Sequence, residues 1–436
     1  MNISLLTIGD EICIGQIVNT NAAWMAEACA KEGWRVVAHS VVGDDLPQIL
    51  SEFERLLSLT DIVLITGGLG PTHDDRTKTA LLDYLHDSLR LHEPTLEHLK
   101  ALFQRFGREL SERNAAQALL PASCTPLQND KGTAAGMWFT LGKTSNEANA
   151  EAAEVHGEAG KRHAGKVLVS MPGVPHEMKH LMEERVIPRL RERAVGEEVM
   201  LYRTLMTTGI VESSLADLIG DVDAVLEGQE LAFLPSASGV KLRITVTAAQ
   251  RTNAEEMLNR IDERIRSLAG RYIYGVDGAS YEALLGQKLR EKGLTLAVAE
   301  SCTGGLLGAT LTNMRGSSAY FLGGVQCYSN EAKMSMVGVS PETLRQHGAV
   351  SQEVAMELAA GIQARFHADI GVSITGIAGP DGGTPEKPVG TIWVGICAKN
   401  QTPFAQKFST GNDRATNRER AVMAAMQLVY KRVMEE

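Results

Sequence analysis

Residues 294–305 have the sequence LTLAVAESCTGG, in which an apolar run leads into a serine and two glycines. Gly293 bounds the run, which favours a strand, and residues 304–311 have the pattern of a helix start. Ser301 therefore falls on the turn that connects the strand to the helix. Such a turn exposes a reacting side chain while its backbone stays fixed, so Ser301 is a candidate nucleophile.

A phenol and an amine follow in the segment YSNEAK, residues 328–333. Serine is a weak nucleophile at neutral pH and needs a base, and Ser–Lys pairs are one known form of that arrangement. Lys333 can be the base only when neutral, so its pKa must fall by roughly 2 to 3 pH units from about 10.4, through burial or nearby positive charge. Tyr328 would relay the proton or hold the amine.

The glycine turn itself has two interpretations. In the catalytic one, backbone N–H groups of Thr303, Gly304 and Gly305 face the substrate carbonyl oxygen as it gains charge. In the structural one, Ser301 or Thr303 caps a helix, the glycines permit a tight turn, and Lys333 is a solvated helix residue.

A second predicted strand, residues 369–375, runs into the glycine loop GIAGPDGG at residues 376–383. Such a loop is able to bring backbone N–H groups against an anion, and a plain turn is the alternative. Together with the first turn, it forms part of a resemblance to the C-terminal domain of the CinA family. The motifs that carry it are AESCTGG (299–305), YSNEAK (328–333), HGAVS (347–351), SITGIAGPDGG (373–383) and EKPVGT (386–391).

This resemblance covers residues 280–436 and implies a nicotinamide mononucleotide deamidase, which yields nicotinate mononucleotide and ammonia without a cofactor. It makes Ser301 the nucleophile, Lys333 the base and Tyr328 its partner. The family's Gly-x-Arg pattern has one extra residue here, in GNDR at 411–414. The implied substrate-binding residues are Glu300, Thr303, Gly304, Gly305, Asn330, Thr375, Gly376, Gly379 and Arg414.

Two apolar strands in the N-terminal half, residues 2–8 and 61–66, also end in glycine loops. Continuous apolar strands followed by glycine loops and helices predict a parallel sheet with its ligand site at the carboxyl ends of the strands. Asp74 and Asp75 can hold a divalent cation through oxygen ligands, or they can interact favourably with a helix dipole. The candidate nucleotide-binding residues are Gly9, Asp10, Glu11, Gly67, Gly68 and Gly70.

Residues 1–175 resemble the molybdopterin-binding fold at the N-terminus of CinA proteins, which implies a metal-dependent pyrophosphatase acting on ADP-ribose. Residues 132–136, GTAAG, lack the family's proline, and a hydrophilic stretch at 143–166 replaces a short turn. We expect this stretch to be a surface excursion, either disordered or a solvated helix. The motifs that carry the resemblance are GDEICIGQIVNTN (9–21), VVGDD (41–45), TGGLGPTHDD (66–75) and MPGVPHEM (171–178).

Residues 176–180, HEMKH, match the H-E-x-x-H pattern of zinc proteases. No evident third ligand follows at a familiar spacing, and the CinA resemblance accounts for the surrounding segment without the histidines. We therefore expect His176 to lie at or near a helix N-terminus and His180 to lie on the surface.

The predicted fold class is α/β, with a small α+β domain between two larger ones. The domains are a molybdopterin-binding-like parallel-sheet domain at 1–175, a linker domain at 176–277 that resembles the KH-like domain of CinA proteins, and an α/β deamidase domain at 278–436. The linker domain lacks the Gly-x-x-Gly clamp that holds RNA, so its expected role is to space or pair the other domains.

The composition limits the expected partners. A chain of 436 residues is too long for one core, and a net charge of −10 disfavours binding to nucleic acid. We expect small-molecule nucleotides as ligands and a homo-oligomer as the assembly. The alternative from another class is a regulatory or interaction protein of competence or DNA damage, which the family's name evokes, with a pterin-binding-like front domain that lacks catalysis.

Six cysteines are scattered without a C-x-x-C pair, which indicates reduced thiols rather than a disulfide or zinc framework. Cys302 and Cys327 flank the proposed chemistry, so a cysteine nucleophile is an alternative, although the ordinary role of Cys302 is packing. We see no signal-peptide pattern and no stretch long enough to cross a bilayer, which predicts a cytoplasmic protein without membrane contact.

Overall fold

The computed structural model describes residues 1–70, 72, 75–142, 156–194, 196, 198–236 and 239–435. The chain divides into two compact units. The first comprises Met1–Tyr202 and Thr245–Leu258, and the second comprises Arg203–Ile244 and Asn259–Glu436. No helix among the described residues is long and apolar enough to span a membrane.

The strands, in chain order, are β1 Asn2–Ile8, β2 Arg35–Val42, β3 Ile62–Thr66, β4 Leu89–Leu91, β5 Leu119–Pro121, β6 Thr125–Leu127, β7 Gly136–Thr140, β8 Val167–Met171, β9 Val199–Thr207, β10 Glu230–Ser236, β11 Gly239–Ala248, β12 Ile273–Val276, β13 Leu296–Glu300, β14 Phe321–Gln326, β15 Ile370–Gly376, β16 Thr391–Ala398 and β17 Phe404–Ser409.

The α-helices are α1 Asp10–Cys13, α2 Thr20–Lys31, α3 Leu46–Leu59, α4 Thr77–Leu85, α5 Glu93–Arg105, α6 Glu112–Ala115, α7 Gly157–Arg162, α8 Pro175–Leu181, α9 Ile187–Arg193, α10 Glu212–Ile219, α11 Val222–Leu226, α12 Arg251–Ala269, α13 Tyr281–Lys292, α14 Leu306–Thr312, α15 Asn330–Val337, α16 Pro341–His347, α17 Gln352–Phe366 and α18 Arg414–Glu435.

The first unit contains a sheet with the strand order β2-β1-β3-β8-β7-β6. The strands from β2 to β8 are parallel to their neighbours, and β7 and β6 form an antiparallel edge. Leu5 and Leu64 belong to one core cluster, whereas Leu6 and Ile65 belong to another. Because side chains alternate along a strand, this sheet buries both of its faces, and that is why its central strands are continuously apolar.

The stretch at 143–166 is described only from residue 156 onward, where it contains a helix that is partly solvated. Residues 143–155 lie outside the described part of the chain, but α7 and the histidines on either side of it are packed into the first unit. His156 and His163 are buried, and Glu54 on α3 accepts hydrogen bonds from His163 Nε2 at 3.1 Å and Arg162 Nη1 at 2.6 Å. The solvated helix is thus present in part at α7, whose charged residues are exposed, whereas the buried histidines and the contacts with Glu54 fix the segment against α3.

Two further sheets contain most of the remaining strands. The first has the order β10-β11-β9-β12 and, with α10 and α12, forms the small α+β domain. The second has the order β14-β13-β15-β16-β17 and belongs to the second unit. In it, β13 is parallel to both of its neighbours, whereas β16 and β17 are antiparallel additions. The C-terminal sheet thus has a parallel centre, and its strands β13 and β15 are buried.

Candidate active site

The parallel strands of the C-terminal sheet bring the predicted catalytic segments to one edge. Glu300, the last residue of β13, pairs with Gln326 at the end of β14 and with Ile374 near the end of β15. Carboxyl ends of parallel strands meet at the same edge of a sheet. Ser301 and the start of α15 therefore lie close together, although 32 residues separate Ser301 from Lys333.

Lys333 reaches Ser301 from the first turn of α15. The Ser329 side chain caps this helix by accepting a hydrogen bond from the Ala332 N–H at 3.1 Å, so the position of the turn is fixed. Lys333 Nζ lies 3.2 Å from Ser301 Oγ, and Lys333 is only 1% exposed. The structural interpretation of Lys333 as a solvated helix residue is therefore wrong.

Burial of the Lys333 amine favours its neutral form. Nζ donates hydrogen bonds to the backbone carbonyls of Cys327 at 2.9 Å and Tyr328 at 3.1 Å, and no carboxylate among the described residues pairs with it. Burial lowers the pKa of Lys333 below its ordinary value of 10.5. A buried amine with a depressed pKa next to a hydroxyl is the combination that a Ser–Lys pair requires.

The two neighbouring thiols are poor nucleophiles. Burial raises the pKa of Cys302 to about 11, and it also raises the pKa of Cys327. Only the thiolate attacks, so both groups are unreactive near neutral pH. The raised pKa values of the two thiols favour Ser301 over a cysteine as the nucleophile.

Glu300 holds the turn that carries Ser301. Its carboxylate is 2% exposed and accepts hydrogen bonds from the backbone N–H groups of Gly305 at 3.1 Å, Leu307 at 3.0 Å and Gly308 at 2.8 Å. These are donors that the first turn of a helix leaves without partners, and a negative charge is favourable there. The carboxylate therefore binds backbone at the start of α14.

The turn offers fewer free N–H groups than its glycines led us to expect. The Ser301 N–H donates to the Ile374 carbonyl at 3.0 Å, and the Gly304 N–H donates to the Ser301 carbonyl at 3.1 Å. The Gly305 N–H already donates to Glu300, so the expectation that Gly304 and Gly305 face a substrate oxygen is wrong. Thr303 is fully buried, so its N–H group is not open to a substrate oxygen in this structure either.

Both glycines are nevertheless required by the backbone. Gly304 has a φ of 60° and Gly305 a φ of 94°, values that residues with a Cβ rarely adopt. A Cβ at Gly305 would also lie 2.4 Å from Gln326 Nε2. The glycines thus shape the turn rather than bind through their N–H groups.

The start of α18 reaches two of the loops around Ser301, the one at 376–383 and the turn that carries Thr303. Arg414 Nη1 donates to the Gly379 carbonyl at 2.7 Å, and Asn417 Nδ2 donates to the Ala378 carbonyl at 2.9 Å. Arg418 donates twice to the Thr303 carbonyl, from Nη2 at 2.7 Å and from Nε at 3.3 Å. Asn417 and Arg418 were not among the predicted site residues. Their spacing could have indicated them, because residues three and four positions after Arg414 lie on the same face of a helix.

The other predicted residues have different environments. Thr375 is buried and its hydroxyl donates to the Ala349 carbonyl at 2.7 Å, whereas Gly376 ends β15. Asn330 is exposed at the first position of α15. Tyr328 is 65% exposed and contacts Lys333 through its backbone carbonyl. Some of the residues that the motifs indicate therefore do not place their side chains next to the Ser301–Lys333 pair.

The N-terminal candidates lie at the carboxyl ends of neighbouring strands. The Gly9 N–H donates to the Val42 carbonyl at 3.0 Å, directly after β1. Gly67 has a φ of 104°, and a Cβ there would lie 2.1 Å from the Ile8 carbonyl oxygen, so this position accepts only glycine. A Cβ at Gly68 would lie 2.4 Å from Thr77 Oγ1. The loops after β1 and β3 are thus closely apposed.

The acidic candidates of this unit mostly bind backbone. Asp10 Oδ1 accepts the Asp44 N–H and Asp44 Oδ2 accepts the Asp10 N–H, both at 3.1 Å. Asp75 accepts from the N–H groups of Gly70 at 2.7 Å and Thr72 at 2.8 Å. Glu11 follows Asp10 in the first turn of α1. Asp74 lies outside the described residues, and the remaining described residues contain no group of three or more His, Cys, Asp or Glu side chains arranged for a metal ion.

Three family models match the chain, namely the CinA C-terminal domain over residues 278–433, a probable molybdopterin binding domain over residues 4–192 and the KH domain of damage-inducible protein CinA over residues 202–275. A CinA-like protein of Salinibacter ruber is 41% identical over 429 residues, which cover 98% of this chain and 98% of the relative. The chain belongs to the CinA family.

A second full-length relative agrees with this membership, and a solved structure matches part of the chain. A CinA-like protein of Gemmatimonas aurantiaca is 39% identical and covers 100% of this chain and 97% of its own. A solved structure of the competence/damage inducible protein CihA from Agrobacterium tumefaciens is 37% identical, covers 35% of this chain and 96% of its own, and has a TM-score of 0.34. The three family models and the two full-length relatives confirm the resemblance to CinA proteins and the α/β fold class predicted from the sequence.

The H-E-x-x-H segment of this CinA family member has no zinc-binding geometry. His176 is exposed in the first turn of α8. His180 Nε2 lies 3.4 Å from Asp130 Oδ2, which also accepts from Arg185 Nη2 at 2.9 Å, and Glu177 accepts from Asn129 Nδ2 at 2.6 Å. The three motif residues thus have separate surroundings, so the match to the protease pattern is incidental.

Proposed function

We propose that the C-terminal domain hydrolyses the carboxamide of nicotinamide mononucleotide and releases ammonia and nicotinate mononucleotide. The observation that supports this most is the 3.2 Å separation between Lys333 Nζ and Ser301 Oγ, at an amine that is buried without a carboxylate partner among the described residues. The CinA resemblance indicates the substrate, and the Ser301–Lys333 pair is suited to nucleophilic attack on an amide.

The hydrogen bonds of Lys333 suggest how the base works. A neutral amine has two N–H groups, and the carbonyls of Cys327 and Tyr328 accept both of them. In this neutral form, the lone pair is left to accept the proton of the Ser301 hydroxyl, whose Oγ lies 3.2 Å from Nζ. Two fixed carbonyls therefore orient the amine as an acceptor for the serine proton.

The reaction proceeds in two steps through an ester on Ser301. Ser301 Oγ attacks the carboxamide carbon while its proton passes to Lys333 Nζ, and the carbonyl oxygen becomes an oxyanion. Lys333 then returns the proton to the leaving nitrogen, so that the C–N bond breaks and ammonia departs. Water attacks the ester with Lys333 again taking a proton, which releases the nicotinate product and restores the serine.

Arg414 is the proposed partner of the substrate phosphate. Its guanidinium uses one N–H for the Gly379 carbonyl, and its position at the exposed start of α18 leaves donors that can face an anion. Arg414→Ala should therefore raise KM for the mononucleotide more than it lowers kcat.

Ammonia release from nicotinamide mononucleotide by the full-length chain tests the proposal. Ser301→Ala and Lys333→Ala should each lower kcat by roughly 10²–10⁴-fold, the usual contribution of such groups, while circular dichroism shows that both proteins remain folded. Lys407→Ala, which removes an exposed lysine of β17, is the matched control and should retain full activity. Full activity in Lys333→Ala would exclude that lysine as the base.

For the N-terminal domain we propose the binding and cleavage of a nucleotide pyrophosphate such as ADP-ribose. The glycine loops at the ends of β1 and β3 support an anion site, but the described carboxylates do not fit a metal centre, and we derive no step through one. The CinA resemblance implies a divalent ion, so turnover with and without a chelator tests that dependence, and Asp74→Ala and Asp75→Ala should reduce turnover. Unchanged turnover in both variants would refute their role.

The name of the competence/damage inducible protein from Agrobacterium tumefaciens supports a second candidate, a regulatory or interaction role with a front domain that lacks catalysis. DNA binding at moderate salt, together with no ammonia from the mononucleotide, would favour this role. The net charge of −10 counts against such binding.

A further inference from the structure

Strand β2 forms one edge of the N-terminal sheet, and among the described strands it pairs with β1 alone. The Gly9 N–H, directly after β1, donates to the Val42 carbonyl, so the backbone polar groups of Val42 face β1. Because these groups alternate in direction along a strand, those of Val41 and His39 point away from the sheet. The outer side of β2 thus presents backbone donors and acceptors with which another strand can pair.

The β2 edge lacks most of the features that discourage pairing between sheets, namely short length, proline, lysine and a bulge. At 8 residues, β2 is the longest edge strand that the structure describes. Other edges are protected: β6 has 3 residues and contains Pro126, β10 contains Pro235, and β17 contains Lys407. A bulge interrupts the start of β2, but residues 38–42 beyond it pair regularly with β1 and include neither proline nor lysine. Val41, within this regular run, is 40% exposed.

The two ends of the β2 edge carry opposite charges. Arg35, the first residue of the strand, and Asp45, just beyond its end, are both exposed. They lie equally far along the chain from Ser40. In an antiparallel pair of two β2 strands with a two-fold axis near Ser40, each arginine would therefore lie opposite the aspartate of the other copy, and His39 would lie opposite Val41. The edge is thus complementary to a second copy of itself.

We propose that β2 is the contact strand of a homodimer in which the N-terminal sheets of two copies join edge to edge. The occupant is a second copy of this chain, because the charge pattern is self-complementary and a two-fold contact forms each interaction twice. Such pairing would bind the outward N–H groups of His39 and Val41 and cover the Val41 side chain. A contact based on one strand is small, so we expect monomer and dimer to exchange at micromolar concentrations. This inference is independent of the proposed enzymatic activities.

Analytical ultracentrifugation of the full-length chain, over about a hundredfold range of concentration, tests the proposal. The average mass of the wild type should rise from that of a monomer to that of a dimer. Val41→Lys introduces a lysine of the kind that β17 carries and should raise the dimer dissociation constant roughly tenfold or more, because each interaction is lost twice. Val211→Lys makes the same change at an exposed valine outside β2 and should have no effect.

The charge pairing has a separate test. Arg35→Gln and Asp45→Asn should each raise the dissociation constant roughly three- to tenfold, as expected for an exposed ion pair that occurs twice. The double variant should be no weaker than either single variant, because both changes remove the same pair. Asparagine can retain the cap at the start of α3, where Asp45 Oδ1 accepts the Gln48 N–H at 3.1 Å. Additive effects would contradict the pairing of Arg35 with Asp45.

Amide hydrogen exchange identifies the contact strand directly. The N–H groups of His39 and Val41 should exchange more slowly at concentrations where the dimer predominates than in dilute solution. A protein that stays monomeric at every concentration would overturn the proposal. So would an oligomer that Val41→Lys leaves intact and in which these two amides exchange at the monomer rate. If Val41→Lys unfolds, Arg35→Gln and Asp45→Asn are judged by the same criteria.

Discussion

At the scale of single residues, the chemistry depends on the free energy of burying one amine. Burial lowers the pKa of Lys333, and the carbonyls of Cys327 and Tyr328 accept hydrogen bonds from the amine without adding a full negative charge. A carboxylate in the same place would favour the ammonium form and abolish the base. Burying the amine therefore lowers the stability of the fold and provides a neutral amine at working pH.

The lowered pKa of Lys333 makes the stability of the fold depend on pH. The unfolded chain binds the Lys333 proton more tightly than the folded chain, because the pKa is lower in the folded state. The contribution of Lys333 to stability is thus fully present above its unfolded pKa, and it is lost as the pH falls through the folded value. Acid should weaken the fold at this residue.

The same shift predicts the pH dependence of activity. Turnover of nicotinamide mononucleotide should rise about tenfold per pH unit while Lys333 is mostly protonated, and it should level off above its lowered pKa. The profile of kcat/KM against pH from 5 to 10 measures this. A profile that stays flat over that range would mean that no titrating amine is the base.

At the scale of elements, the connection from β13 to α14 shows what could be predicted from the sequence. The apolar run 294–299 and the glycines after Ser301 indicated the strand, the turn and the helix, and these are present. The roles of Glu300 and Arg418 were not predictable, because Glu300 looks like any acid in a motif and Arg418 reaches its carbonyl from 115 residues away. Local patterns report propensities, whereas such contacts depend on the assembled sheet and helices.

Glu300→Gln tests whether this carboxylate holds the turn. Glutamine keeps the shape but weakens acceptance from three N–H groups, so we expect a loss of about 1–3 kcal/mol in the free energy of unfolding, as for buried donors left without partners. Urea denaturation measures it, with the exposed Glu419→Gln on α18 as the control. Unchanged stability with strongly raised KM would instead indicate that Glu300 binds substrate.

At the scale of the whole molecule, the N-terminal and C-terminal sheets place their candidate sites by the same rule. Both have a parallel centre, and in both the candidate residues follow the carboxyl ends of strands, with β1 and β3 in one and β13 to β15 in the other. The family membership and the fold class could be predicted from motifs. The packing of residues 156–166 could not, because their hydrophilic composition gives no sign of the contacts that Glu54 makes.

Mass spectrometry of the full-length enzyme, quenched in acid during turnover of nicotinamide mononucleotide, tests the central claim most directly. The account predicts that the peptide containing Ser301 carries the nicotinoyl mononucleotide group as an ester, and that the Ser301→Ala protein carries none. Steady ammonia release with no adduct on that peptide, or undiminished release by Ser301→Ala, would contradict it.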